Sequence, residues 1–287
     1  MTRESGRHGR RLTLVLCTAV ISSGALIGPG PAAQATTAHT GTVRVLSAGS
    51  FSNVMVSLAA AFKHDTGYTI INTSEGSSAI ASGIVAKTLQ GDVFISAAQS
   101  ADQSIKGAAN GSWINGDTIL GTSPDVLAYY PKSKFVAALR TRPWYEVIQS
   151  SGFELGRTNP AVDPSGVLDV DALYGIGYGY DMPRLLSIAS ATNNVYTEEA
   201  IPGLLAAGQL DAGFMYAVAA VAANLPYVAL VGTRHLSAHY TVARLNRAPD
   251  PIPAAAFVKW LRSSRGLSIM ERSGLVPVGA ATGATQK

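Results

Sequence analysis

The chain has 287 residues, 47% of them hydrophobic and 14% charged, with 29 Gly and 14 Pro. That composition excludes collagen, coiled coil and general disorder, and leaves a globular protein of about two domain-sized units. The +4 charge is concentrated at the start: Arg3, Arg7, Arg10 and Arg11 against Glu4 leave the remainder with 18 basic and 17 acidic groups, no electrostatic footprint for nucleic acid.

Arg10-Arg11 precede an apolar run from Leu12 to Ile27, then Gly28-Pro29-Gly30-Pro31 and the small triplet Ala33-Gln34-Ala35. This order predicts a signal peptide over residues 1–35, cleaved near Ala35, and hence an exported protein, periplasmic or extracytoplasmic. The run is shorter than the roughly 20 residues that span a bilayer, and Ser22, Ser23 and Gly24 interrupt it. The arginine pair leaves the general and twin-arginine export routes both open. Cys17, the single cysteine, falls in the leader, so a mature chain would hold neither a disulfide nor a cysteine metal site. The Ala/Thr/Gly-rich ends, 32–41 and 279–287, read as loose tails.

From Thr42 short apolar runs alternate with helical patterns. Strands are predicted at 42–47, 69–72 and 92–96 and helices at 53–64, 80–89 and 101–109, a β-α-β-α-β opening with a parallel sheet covered on both faces. After Gly121 the pattern restarts, with strands at 126–130, 153–156 and 212–216 and helices at 144–149, 184–189, 199–207 and 217–223. Strands at 227–231 and 240–244 and helices at 253–262 and 267–272 close the chain, with Gly274 and Pro277 marking a stop. The fold class expected is α/β, with two lobes: 42–123 and 224–278 forming the first, 124–223 the second. Ligand would sit between them at the carboxyl ends of the strands.

Three loops stand out there. Ala48-Gly49-Ser50-Phe51-Ser52-Asn53 and Glu75-Gly76-Ser77-Ser78 each offer hydroxyls and amides at a helix N-terminus, where partial positive charge favours an anion. Ser and Asn also serve there as simple caps. The third, Gly156 to Gly166 (GRTNPAVDPSG), is stiffened by Pro160 and Pro164, and Ser165-Gly166 can turn amides toward a ligand.

These loops, with Asp92–Ala97 (DVFISA) and Asp211–Tyr216 (DAGFMY), occur in the order seen in periplasmic molybdate- and tungstate-binding proteins of ABC transporters, and the chain resembles that family over residues 42–277. Asp163 before Pro-Ser-Gly, and Glu198 upstream of Tyr216, resemble the tungstate-binding branch, as does Ala223–Leu230. The resemblance implies a two-lobed periplasmic-binding-protein fold of type II, each lobe a mixed, mostly parallel sheet flanked by helices. It implies oxyanion contacts at Ser50, Ser77, the Asp163–Ser165 stretch, the backbone near Glu198 and the Tyr216 hydroxyl. In the tungstate branch two carboxylates also approach the metal, here Asp163 and Glu198, although Glu199 adjoins and could take the second place. No cofactor is implied; the partners would be the oxyanion and a membrane permease, and the protein a monomer.

Molybdate and tungstate are dianions without a proton near neutral pH, so a carboxylate aimed at their oxygens repels them unless it faces the metal or is itself protonated. A phosphate site could use Asp163 to accept a ligand proton, and a sulfate site should contain no carboxylate. Tyr129-Tyr130 and Tyr178 with Tyr180 raise a ferric-ion alternative, against ordinary aromatic packing. An exported serine hydrolase would need a base near a loop serine, and His39, His64, His235 and His239 fall in no such arrangement. Arg157 could assist an anion or form a surface ion pair.

Overall fold

In a computed structural model the described residues are 40–233 and 236–278. The predicted leader with Cys17, His39, His235 and the 279–287 tail lie outside them.

The first half follows the predicted alternation. Strand β1 (Thr42–Ala48) pairs in parallel with β2 (Thr69–Glu75) on one side and β3 (Val93–Ser96) on the other. Helix α1 (Ser52–Thr66) connects β1 to β2 and buries Val54, Met55, Leu58 and Phe62 along one face. It ends where Gly67 takes a left-handed φ of 83°. Helix α2 (Ser77–Val85) begins earlier than expected, directly after Gly76, and ends earlier, where Lys87 turns left-handed just beyond it. Helix α3 (Gln99–Gln103) is shorter than expected, with Gly107 and Gly111 at positive φ breaking the pattern that follows.

The main departure is β4 (Thr118–Tyr129), which starts well before the predicted 126–130. Gly121, Ser123 and Pro124 disguise its first part as a turn. That part pairs antiparallel with β8 (Ser237–Arg244), and Asp125 onward pairs with β6 (Ala212–Tyr216) and β7 (Tyr227–Ala229). The strand order is β2-β1-β3-β8-β4-β6-β5, with the short β5 (Leu155–Gly156) parallel to β6. A short β9 (Val276–Pro277) also adds to β4. One long strand therefore belongs to both halves. β7 pairs with the later part of β4, and β8 with its earlier part from Ser237, opposite Pro124, onward. Periodicity reveals a strand but not its partner.

In the second half, α4 (Val136–Thr141), α5 (Trp144–Val147), α7 (Pro183–Ser190), α8 (Ile201–Ala206) and α9 (Ala217–Ala222) surround the sheet. The 16-residue α6 (Pro164–Gly179) was not expected, since Gly166, Gly175, Gly177 and Gly179 make it read as loop. Two of those glycines permit close packing: a β-carbon on Gly166 would stand 2.6 Å from the Pro160 nitrogen, and one on Gly177 2.4 Å from Leu186 Cδ2. Helices α10 (Pro251–Leu261) and α11 (Ser264–Arg272) return to the first half, where Phe257 and Leu261 join Leu58 and Phe62 in its core. Leu127, Trp144, Leu173 and Phe214 form the core of the second half. Among the described residues no helix is long and apolar enough to cross a membrane.

Candidate functional site

The parallel register Ala48↔Glu75 places the ends of β1 and β2 side by side, so the Ser50 and Ser77 loops are neighbours at the carboxyl edge of the sheet. Residues Gly49–Phe51 form a single 3-10 turn leading into α1, and Ser77 is the first residue of α2. Both serines are buried. Ser77 Oγ accepts the Ala97 amide at 3.0 Å, and Ser50 Oγ accepts the Tyr240 phenol at 2.6 Å. Each hydroxyl oxygen thus has one lone pair engaged; the Ser50 hydroxyl, like its amide, also lies within hydrogen-bonding reach of the Glu198 carboxyl.

The second half brings Asp163 and Glu198 to the same place. Asp163 caps α6, its Oδ1 accepting the Ser165 amide at 2.9 Å, and Pro164 occupies the first helical position. The preceding turn is held by Asn159, whose carbonyl accepts the Val162 and Asp163 amides. Glu198 follows a stretch held to Arg157 by paired backbone bonds, Arg157 N–H to Asn194 O and Tyr196 N–H to Arg157 O, both 2.9 Å.

The halves touch here. The Ser50 amide donates to Glu198 Oε2 at 2.7 Å and the Ala79 amide to Val162 O at 3.1 Å. Glu198 is buried and Glu199 exposed, so the adjacent acids are not equivalent; Glu198 Oε1 has no protein partner. A cleft of about 570 Å³ opens between Glu75, Gly76 and Ala79 on one side and Asn159, Val162, Asp163 and Thr197–Glu199 on the other.

Burial dominates the electrostatics. It pushes the Asp163 carboxyl up to about 6, against the Ser165 amide and with help from Glu199. Glu198 is held well above the usual carboxyl range by burial and then by Asp163. Two acids that sequence reasoning missed stand behind them: Asp169, raised to about 8 by burial, and Asp125, raised well above its ordinary value by burial and then by Asp169. Asp169 accepts the Thr158 amide at 3.0 Å, whereas both carboxyl oxygens of Asp125 are buried without a protein partner. Tyr216, buried at the end of β6 opposite Asp125, has its phenol raised by burial and then by Glu198.

Ser165 lies in the same corner, but its amide is used by Asp163 and its hydroxyl faces Asp169 Oδ1 at 3.5 Å. Arg157 is neither in the cleft nor on the surface: it is buried, donating to the carbonyls of Thr158, Ala189 and Ala191. The tyrosines considered for ferric ion do not converge. Tyr129 is buried in β4, while exposed Tyr178 and Tyr180 stack on Tyr174 and Tyr145 at the end of α6. Among the described residues no group of three or more His, Cys, Asp and Glu is placed to hold a metal ion, and neither His64 nor His239 bonds to a loop serine. Tyr240 was missed as a site residue because a tyrosine within a strand gives no sign of where its hydroxyl ends.

Among known proteins, a molybdenum-binding protein assignment in Haloferax volcanii is attached to a relative 30% identical over 113 residues, 39% of this chain and 37% of that one. The molybdate/tungstate-binding protein of Pyrococcus abyssi is 22% identical over 206 residues, 54% of this chain and 60% of that one. This chain therefore matches less than two thirds of the length of either. The periplasmic molybdate-binding protein of Azotobacter vinelandii shares the fold, with a TM-score of 0.65 at 17% identity over 82% of this chain and 98% of that one. The family described as bacterial extracellular solute-binding protein matches residues 43–276, and the chain belongs to it.

Proposed function

We propose that this chain is a non-catalytic, exported binding protein that takes molybdate or tungstate as cargo between its two halves and presents it, as a monomer, to the membrane permease of an ABC importer. The observation that carries this reading is the contact of the Ser50 loop with Glu198, and of the helix that Ser77 opens with the turn before Asp163, beside a cleft lined by Gly76, Asp163 and Glu198. The named ligands of the Haloferax and Pyrococcus relatives support the choice of cargo.

Two hydroxyl donors at helix starts suit an anion whose oxygens carry no proton. The Tyr216 hydroxyl would add a third donor. Asp163 and Glu198 would repel oxygens if ionised, and so would face the metal, expanding its coordination from four oxygens toward six, as the resemblance implies. Glu198 Oε2 accepts the Ser50 amide, a donor that an anion oxygen would compete for. Sulfate offers no metal for carboxylates to approach, which makes the acids a discriminating feature.

Calorimetric titration with tungstate, molybdate, sulfate and phosphate tests the proposal. Saturating tungstate or molybdate, at 100 times its dissociation constant, should stabilise the fold by about 2.7 kcal/mol. X-ray absorption of the tungstate complex should show six oxygen neighbours. Binding of sulfate or phosphate alone would refute the assignment.

A further inference from the structure

We infer that Tyr240 is a positioning residue for oxyanion capture: by donating its phenolic proton to Ser50 Oγ, it commits the Ser50 hydroxyl to donate into the cleft and so favours cargo with unprotonated oxygens. The inference rests on the oxyanion reading above.

The geometry is specific. The contact is 2.6 Å and both residues are buried. A serine hydroxyl has one proton and two lone pairs, and a phenol is the more acidic partner, so tyrosine donates and serine accepts. The Ser50 amide is already directed at Glu198, which leaves the hydroxyl proton as the remaining donor of that residue. Ser77 shows the same arrangement without ambiguity of direction, because the Ala97 amide bonded to its Oγ can only donate. Both serines of the first half therefore have their oxygen held from within; the Ser77 proton is left to donate, and the Ser50 proton is directed at the Glu198 carboxyl, from which a cargo oxygen would take it over. A fully deprotonated oxyanion offers acceptors only, which matches; a ligand that must give up a proton finds an acceptor already partly used.

Packing alone does not require the hydroxyl. The Tyr240 ring lies between Phe51, at 4.8 Å, and Tyr216, at 6.0 Å and nearly perpendicular. Phenylalanine would fill the same space and keep both ring contacts. A buried hydroxyl is costly unless bonded, and this one reaches the loop that carries Ser50 rather than the backbone of its own sheet. The burial that holds the phenol above its ordinary value also keeps its proton in place.

The test is a double-mutant cycle read by calorimetry with molybdate and tungstate on the wild type, Y240F, S50A and the double variant. Y240F should weaken binding about tenfold, and should cost nothing further once Ser50 is alanine. An equal loss in both backgrounds would mean that Tyr240 acts by packing, and undiminished affinity in Y240F would equally overturn the inference. If the wild type binds neither oxyanion, the proposed function falls and takes this inference with it; wild-type binding with an unaffected Y240F removes the inference alone. Should Y240F fail to unfold cooperatively, the wild type still decides. Its Tyr240 hydroxyl proton resonance should move downfield as oxyanion is added, because a serine that donates to an anion becomes a better acceptor. An unmoved resonance under saturating ligand would overturn the inference.

Discussion

Gly76 and Asp163 face each other across the cleft so closely that a β-carbon on Gly76 would stand 3.1 Å from the Asp163 β-carbon and 2.5 Å from the Val162 carbonyl oxygen. Gly76 has φ −55° and ψ 134°, a conformation open to any residue, so its lack of a side chain serves the approach of the halves rather than its own backbone. Gly49 is in the same position opposite Glu198 and Glu199, with the Glu199 carboxylate 2.9 Å from where its β-carbon would be. Gly76→Ala should therefore hold the cleft open. Ligand-free thermal stability should change by less than about 1 kcal/mol, while oxyanion affinity falls at least about tenfold, the equivalent of 1.4 kcal/mol. Small-angle scattering should show wild type contracting with ligand and the variant remaining expanded; equal contraction in both would count against a contact-limited closure.

Asp163 has two roles that one substitution separates. Asn caps a helix about as well as Asp, so D163N should keep the helix start; because burial raises the Asp163 carboxyl to about 6, the variant should match the wild-type unfolding midpoint near pH 4 and exceed it above pH 6. The variant loses the carboxylate proposed to face the metal, so tungstate binding should weaken about tenfold and the oxygen count around tungsten should drop by one. Tighter binding in D163N would identify the acid as merely repulsive.

Ser77→Ala should harm both stability and binding. The Ala97 amide loses its acceptor, a cost of about 1–3 kcal/mol for a buried donor, readable by urea denaturation. Oxyanion affinity should fall in addition, since one donor to the cargo disappears. A variant with full affinity would remove Ser77 from the site.

Away from the cleft, Asp102 provides a pH test. It is buried, its Oδ2 accepts the Thr241 hydroxyl at 2.7 Å, and its Oδ1 has no protein partner. Burial raises its carboxyl from 3.8 to about 7, so between those values the folded chain holds a proton that the unfolded chain releases. Its contribution to stability is therefore lost as pH rises from about 4 to about 7. Asp169 and Asp163 push in the same direction. The melting temperature of the ligand-free protein should fall by several degrees over this interval, and D102N, which keeps an acceptor for Thr241, should flatten the fall. An identical slope in the variant would exclude Asp102 as a contributor.

The sequence made the first half legible because the short apolar run of β1, buried continuously from Val45 to Ala48, and the stripe on α1 are set by local burial. It concealed β4 and α6, where turn-forming residues in the strand and closely packed glycines in the helix follow tertiary demands rather than local preference. The candidate residues Ser50, Ser77, Asp163, Glu198 and Tyr216 could be identified from loop chemistry and from the resemblance. Asp125, Asp169 and Tyr240 could not, because their significance depends on burial beside those residues, and no spacing along the chain encodes that.

The passage of β4 through both halves has a mechanical consequence. Near the crossing, Pro124 pairs with Ser237, and the Asp125 amide bonds to Leu236 O at 2.8 Å. A joint made of two laced strands resists shear yet yields to torsion, so one half can swing without unlacing either strand. The irregular register between Ile119 and Gly121 adds a local bend and twist to the same ladder.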